Sequence, residues 1–143
     1  MIGFNHALTG TIIGIITPTP LVPVVALASH FIMDALPHFG EDSRFKPYTK
    51  SFKALLIFDA IICFGTLALG ISLRPDMALD IALGAFFATL PDFLWLLESR
   101  AKGKLASYYF KFAKRIQRFE SPDGWTYEVM AFCLLALGLS LAI

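Results

Sequence analysis

Among the ionisable side chains in or beside the long apolar stretches of this 143-residue sequence, six could ligate a metal: His6, His30, Asp34, His38, Asp59 and Asp92. Ionisable groups in such segments are costly to bury, which makes them the first candidates for function. His30, Asp34 and His38 are spaced i, i+4, i+8. On a helix, successive members turn by only about 40° and share one face. Imidazole nitrogen and carboxylate oxygen together suit zinc, with manganese and iron as runners-up. The six exceed one tetrahedral site and would fit two ions sharing a bridging carboxylate, with a position left for water. A centre of that kind activates water and clamps both oxygens of a phosphoester displacement. One of Asp34, Asp59 or Asp92, where not fully engaged by metal, would serve as general base. Each residue also has a plainer reading. A lone histidine in an apolar helix is more often hydrogen-bonded core, and Asp59 could pair with Lys53 or a neighbouring backbone.

The elements that must position these groups follow from composition. The chain is 57% hydrophobic and only 16% charged, with mean hydropathy +0.68; soluble domains carry roughly 25% charged residues. Intrinsic disorder is excluded by this apolarity. A disulfide scaffold is excluded because Cys63 and Cys133 lie inside apolar runs. Net charge +1 and pI ≈ 7.8 speak against nucleic acid as a partner. The expected class is all-α: a polytopic helical bundle in the membrane, one domain over residues 1–143.

Helices are expected at about 53–73, 77–97 and 125–143, each long enough to cross a hydrocarbon core of roughly 30 Å. In the first third, Pro18-Thr19-Pro20 divides two shorter apolar stretches, 4–17 and 21–36. Two short helices joined by a tight turn are predicted there; the alternative is one long kinked helix. Pro37 should end the second helix and let His38 swing toward the others. From 104 to 119, apolar residues 105, 108, 109, 112, 116 and 119 follow helical spacing among Lys104, Lys111, Lys114, Arg115 and Arg118. That is the pattern of a basic amphipathic helix lying in the membrane surface, where its cations would meet anionic lipid headgroups. A helix packed on a cytosolic partner is the alternative.

Charge counts set the orientation. Residues 98–120 hold seven basic and two acidic residues, and residues 39–53 hold four and two. Both loops are therefore expected on the cytoplasmic side. The N-terminus is then cytoplasmic and the C-terminus, after five membrane helices, outside. On this topology all six candidate ligands fall near one level, in the inner half of the bilayer, on four helices. Asp80 falls in the outer half, near Arg74 and Asp76, and reads as interfacial.

Other features are bland. Gly10-xxx-Gly14 permits close helix packing. Pro91 should kink its helix beside Asp92. Trp95, Trp125 and Tyr127 sit where interfacial anchors sit. No Lys or Arg precedes residue 44, so a cleaved signal peptide is not expected. There is no glycine-rich phosphate loop, G-x-S-x-G or H-E-x-x-H.

The stretch Asn5-His6-Ala7-Leu8-Thr9-Gly10, the box Ser29-His30-Phe31-Ile32-Met33-Asp34 with Pro37-His38 after it, and Leu90-Pro91-Asp92 resemble three motifs of a bacterial family. These are the membrane-bound metal-dependent hydrolases, described as LexA-binding and inner-membrane-associated. Soluble zinc-dependent phospholipase C-like proteins use a similar His-x-x-x-Asp logic. The resemblance covers roughly residues 3–38 and 88–94. It implies an inner-membrane location and His6, His30, Asp34 and Asp92 as metal ligands. The Gly-His-Arg-Gly-x-Thr-His-Ser box of many members is missing here. His38 and Asp59 rest on position alone.

The leading expectation is a metal-dependent hydrolase acting on a phosphoester near the cytoplasmic leaflet. One rival is a membrane component in which a structural His/Asp cluster staples helices. Another is a metal or proton transporter, which the sparse polar residues of the outer half disfavour. A homo-oligomer is compatible with all three.

Overall fold

The computed structural model describes residues 1–40, 49–94 and 103–143. Trp95, the end of the fourth expected helix, and the basic residues Arg44, Lys46, Arg100 and Lys102 lie outside the described residues. Among those described, the fold is all-α with six helices and one two-residue strand pair. The helices are α1 (Gly3–Ile16), α2 (Val22–Asp34), α3 (Lys50–Leu73), α4 (Ala78–Leu94), α5 (Lys104–Ile116) and α6 (Trp125–Ala142). Strands β1 (His38–Phe39) and β2 (Glu120–Ser121) pair in parallel.

Three stretches are long and apolar enough to cross a membrane: Lys50–Leu73, Pro75–Leu94 and Trp125–Ala142. Their outer faces carry exposed Phe58, Phe64, Phe86 and Leu134, as expected where lipid replaces water. The two shorter apolar helices are separate, as the prolines require. A 3-10 turn at Thr19–Leu21 joins them, and Pro23 sits in the first turn of α2, where its missing N–H costs nothing.

The centre of the bundle is α1, which packs against α2, α3, α4 and α6. Its composition explains this. Ala7, Gly10, Thr11 and Gly14 are small, and all four are buried. Gly10 lies against the backbone of Gly84 on α4, and Gly14 against Asp80 and Ile81. Backbones can approach this closely only where Cβ atoms are missing. Around this contact, Leu8, Ile15, Ile81 and Leu139 form one apolar cluster, and Ile13, Val22, Ala26 and Ala88 another.

Three boundaries differ from the sequence expectation. α2 ends at Asp34 rather than near Leu36, and His38 therefore enters β1 instead of following the helix face. α5 ends at Ile116 rather than 119, because the chain turns there to place Glu120 and Ser121 beside His38 and Phe39. α3 begins at Lys50, where the Thr49 hydroxyl caps it by accepting from Phe52 N at 3.1 Å.

The close α1–α4 approach is testable. Gly10→Val places a branched side chain against the Gly84 carbonyl and should destabilise the bundle by about 1–3 kcal/mol. Gly65→Ala on α3, where an added Cβ meets nothing, should be neutral or stabilising by up to about 1 kcal/mol. Thermal unfolding midpoints in detergent read both. Equal midpoints for the two variants would contradict the packing.

Candidate metal centre

His6 sits one turn into α1, His30 and Asp34 lie on the last turns of α2, and Asp92 follows Pro91 near the end of α4. One ligand atom from each of these four lies within 4.8 Å of the others. This group could hold a metal ion. His6, His30 and Asp34 are buried, and the Asp92 side chain is partly exposed.

Asp34 is the hub. Its Oδ1 lies 3.1 Å from His6 Nε2, and its Oδ2 lies 3.2 Å from His30 Nε2. Gln117 Nε2 donates to Oδ2 at 3.0 Å, and the Met1 ammonium pairs with Oδ1 at 2.5 Å. The two imidazoles stack with centroids 4.1 Å apart. Asp92 completes the group, each of its oxygens 4.0 Å from one Nε2.

Proton placement identifies what these atoms can do. His30 Nδ1–H donates to the Ala88 carbonyl at 2.8 Å. In the neutral ring that leaves a lone pair on Nε2, directed at a carboxylate. Such an arrangement is repulsive unless a proton or a metal cation stands between. A backbone carbonyl holding the far nitrogen is also how ligating histidines are commonly oriented. Among the described residues, Asp92 Oδ2 and His6 Nδ1 are buried and have no hydrogen-bond partner. The donor set, the His30 tautomer and the unpartnered Asp92 oxygen all fit a cation.

Of the six residues singled out from the sequence, the structure brings together His6, His30, Asp34 and Asp92, and sets His38 and Asp59 apart from their ligand atoms. Asp59 accepts from Phe4 N at 2.7 Å and so caps the start of α1 from α3. His38 is buried on β1, with Nδ1–H donated to the Leu36 carbonyl at 2.8 Å. Burial holds the His38 imidazole below its usual pKa, so the folded protein keeps it neutral.

Two polar residues near the centre escaped the sequence reading. Glu128 on α6 is fully buried. Its Oε1 accepts from Ile2 N at 3.1 Å and Phe39 N at 3.2 Å, and its Oε2 from Asn5 Nδ2 at 2.7 Å. It therefore joins α6 to the start of α1 and to β1. Its signal was present, since it is an acid near the start of an apolar helix. Gln117 follows α5, and nothing in its spacing marks it.

α5 closes one side of the centre. A cavity of about 90 Å³ lies between α2, α4 and α5, with His30, Asp34 and Asp92 on one wall and Tyr109, Lys114 and Gln117 on the other. Phe31 on α2 meets Phe112 on α5 edge-on, centroids 5.3 Å apart. Leu105, Tyr108 and Phe112 nevertheless stay exposed on α5.

No protein-family model, curated protein or solved structure matches this chain.

Two outcomes follow from the local bonding. Glu128→Ala removes the side-chain acceptor of Ile2 N, Phe39 N and Asn5 Nδ2, the last of which keeps its bond to the Glu128 carbonyl, and should destabilise by about 2 kcal/mol or more, at roughly 1–3 kcal/mol per unsatisfied group. Glu128→Gln should cost less, because its carbonyl keeps two acceptor bonds and Asn5 Oδ1, without a hydrogen-bond partner among the described residues, can receive the new amide. Denaturation in detergent ranks the two, and an equal loss would contradict the network. For His38, the depressed folded pKa means its contribution is full above the usual value of 6.5 and falls as pH drops from there toward the folded value. In His38→Gln, the fall in stability as pH drops below about 6.5 should be shallower than in the parent. Parallel curves would refute it.

Proposed function

We propose that this chain is a membrane-embedded, metal-dependent hydrolase acting on a phosphoester at headgroup level. The observation that carries the reading is the convergence of His6, His30, Asp34 and Asp92 within 4.8 Å beside a cavity of about 90 Å³. Zinc is the cation that two imidazoles and two carboxylates suit best, with manganese or iron next. The three long apolar helices support an integral membrane location. Five spans, with α1 and α2 as a short hairpin and both basic loops cytoplasmic, extend that location to a topology. The sequence resemblance to inner-membrane metal-dependent hydrolases agrees with this reading.

When bound, a divalent cation would supply Lewis acidity toward water and a phosphoryl oxygen. The chain's own residues do the rest. His30, fixed by Ala88, and His6, stacked on it, present nitrogen toward the centre. Asp34 balances charge. Asp92 has a partly exposed side chain on the cavity wall and an unpartnered oxygen. It is the group placed to take a proton from the attacking water. As the new P–O bond forms, the ester P–O bond breaks and the leaving alcohol oxygen takes up a proton.

A second reading has its own support. Asp34 is already saturated by His6, His30, Gln117 and the Met1 ammonium, as expected of a polar staple between helices. Metal analysis by mass spectrometry of the detergent-solubilised protein separates the two readings. The hydrolase reading expects at least one equivalent of zinc, manganese or iron, lost in Asp34→Ala. It also expects phosphoester turnover that falls about a hundredfold or more in Asp92→Asn, the scale for removing a general base. A parent protein without metal, whose melting temperature ignores chelators, would refute it and leave the staple.

A further inference from the structure

α5 presents two surfaces, and the bundle uses only one. Tyr109, Ala113 and Ile116 line the cavity beside the candidate metal centre. At about 100° per residue, Leu105, Tyr108 and Phe112 fall within about 60° of one another on a different side. Leu105 is 85% exposed, Tyr108 69% and Phe112 50%. Lys104, Lys111 and Arg115 form an adjoining row, within about 40° of each other and about 60° from the apolar row. All three are exposed, and residues 104–119 contain no acid.

The structure thus divides what the sequence presents as one pattern. Of the five cations, Lys114 lines the cavity. The Arg118 guanidinium lies over the Phe119 ring, 4.7 Å from its centroid, beyond the end of the helix. Of the apolar positions, Tyr109 and Ile116 turn to the bundle. One apolar row of three beside one basic row of three faces outward.

A partner for that side must offer hydrocarbon next to negative charge along about 20 Å, the length of a 13-residue helix. The headgroup boundary of an anionic leaflet offers both. Apolar side chains enter its acyl region while basic stems reach back to the phosphates. The same chain brings a bilayer within reach, since three of its stretches are long and apolar enough to cross one. An acidic protein surface would match the basic row but would need an apolar groove of its own beside it.

We propose that the outward side of α5 docks on an anionic lipid leaflet, with Leu105, Tyr108 and Phe112 in the acyl boundary and Lys104, Lys111 and Arg115 on the headgroup phosphates. The proposal rests on the membrane location of the chain and not on the metal centre.

The test places the full chain, carrying Cys63→Ala and Cys133→Ala, in nanodiscs of phosphatidylcholine with or without phosphatidylglycerol. A nitroxide is attached at Leu105→Cys, at Ser107→Cys or at Phe64→Cys, an exposed position on α3. Its collisions with oxygen, which concentrates in lipid, are compared with those of an aqueous nickel chelate. In anionic discs the Leu105 site should favour oxygen, and the Ser107 site, exposed and about 160° away around the helix, should favour nickel. Omitting phosphatidylglycerol, or combining Lys104→Gln, Lys111→Gln and Arg115→Gln, should shift the Leu105 site toward nickel. A Leu105 site that favours nickel in anionic discs would overturn lipid docking in favour of a soluble partner. One shielded from both reagents would overturn it in favour of a second copy of the chain. An oxygen preference indifferent to phosphatidylglycerol and to the three cations would overturn the anionic recognition. Phe64 keeps the readings apart: nickel preference there refutes the membrane location itself, whereas oxygen preference at Phe64 with nickel preference at Leu105 refutes only the α5 surface.

Discussion

A helix that starts inside an apolar bundle has backbone N–H groups with no water to bond, and in this fold that constraint governs everything near the centre. α1 begins at Gly3, and its neighbours supply the missing acceptors. Asp59 reaches from α3 to Phe4 N, and Glu128 reaches from α6 to Ile2 N and Asn5. In low dielectric such charge-assisted bonds are strong, and leaving their donors unpaired is costly. They fix the height and rotation of α1, which sets His6 against Asp34. The glycine contacts with α4 fix its distance from the helix that carries Asp92. The candidate centre thus depends on carboxylates that lie outside it.

Much of this was legible in residue spacing. His30 and Asp34 are four apart, so one helix face was enough to pair them. Pro18 and Pro20 separated α1 from α2 because proline denies the helix its donor and its room. Gly10 and Gly14 marked a close helix contact. What spacing could not show was the use of each acid. Asp59 and Asp92 both sit in apolar helices at similar depth, yet one caps α1 and the other faces the centre. That choice depends on helix rotation, which α3, apolar nearly all round, does not encode. His38 continued the i, i+4, i+8 series on paper. The chain left the helix three residues before it, ahead of Pro37, and pairing with the 120–121 segment gave its backbone a different partner. The partners of Glu128 and Gln117 were hidden because they are distant in sequence.

α5 illustrates how composition can describe a surface without locating it. Its basic and apolar alternation reads as a membrane-surface helix, and Leu105 and Tyr108 are exposed. The same helix also sends Tyr109 and Lys114 to a cavity wall, with Gln117 just beyond its end, and packs Phe112 on Phe31. A helix with this pattern can serve two surfaces at once, because its apolar arc is wider than the bundle edge it covers.

The bonds from Glu128 to Ile2 and Asn5 also carry a consequence for biogenesis. They join positions separated by more than 120 residues, so α1 leaves the ribosome long before its acceptor exists. The helices from α1 through α4 can pair as they emerge, but the start of α1 must wait for α6. Long-range closure is slow compared with local helix pairing. The bonds that Glu128 makes to the start of α1 are therefore completed only once α6 is in place.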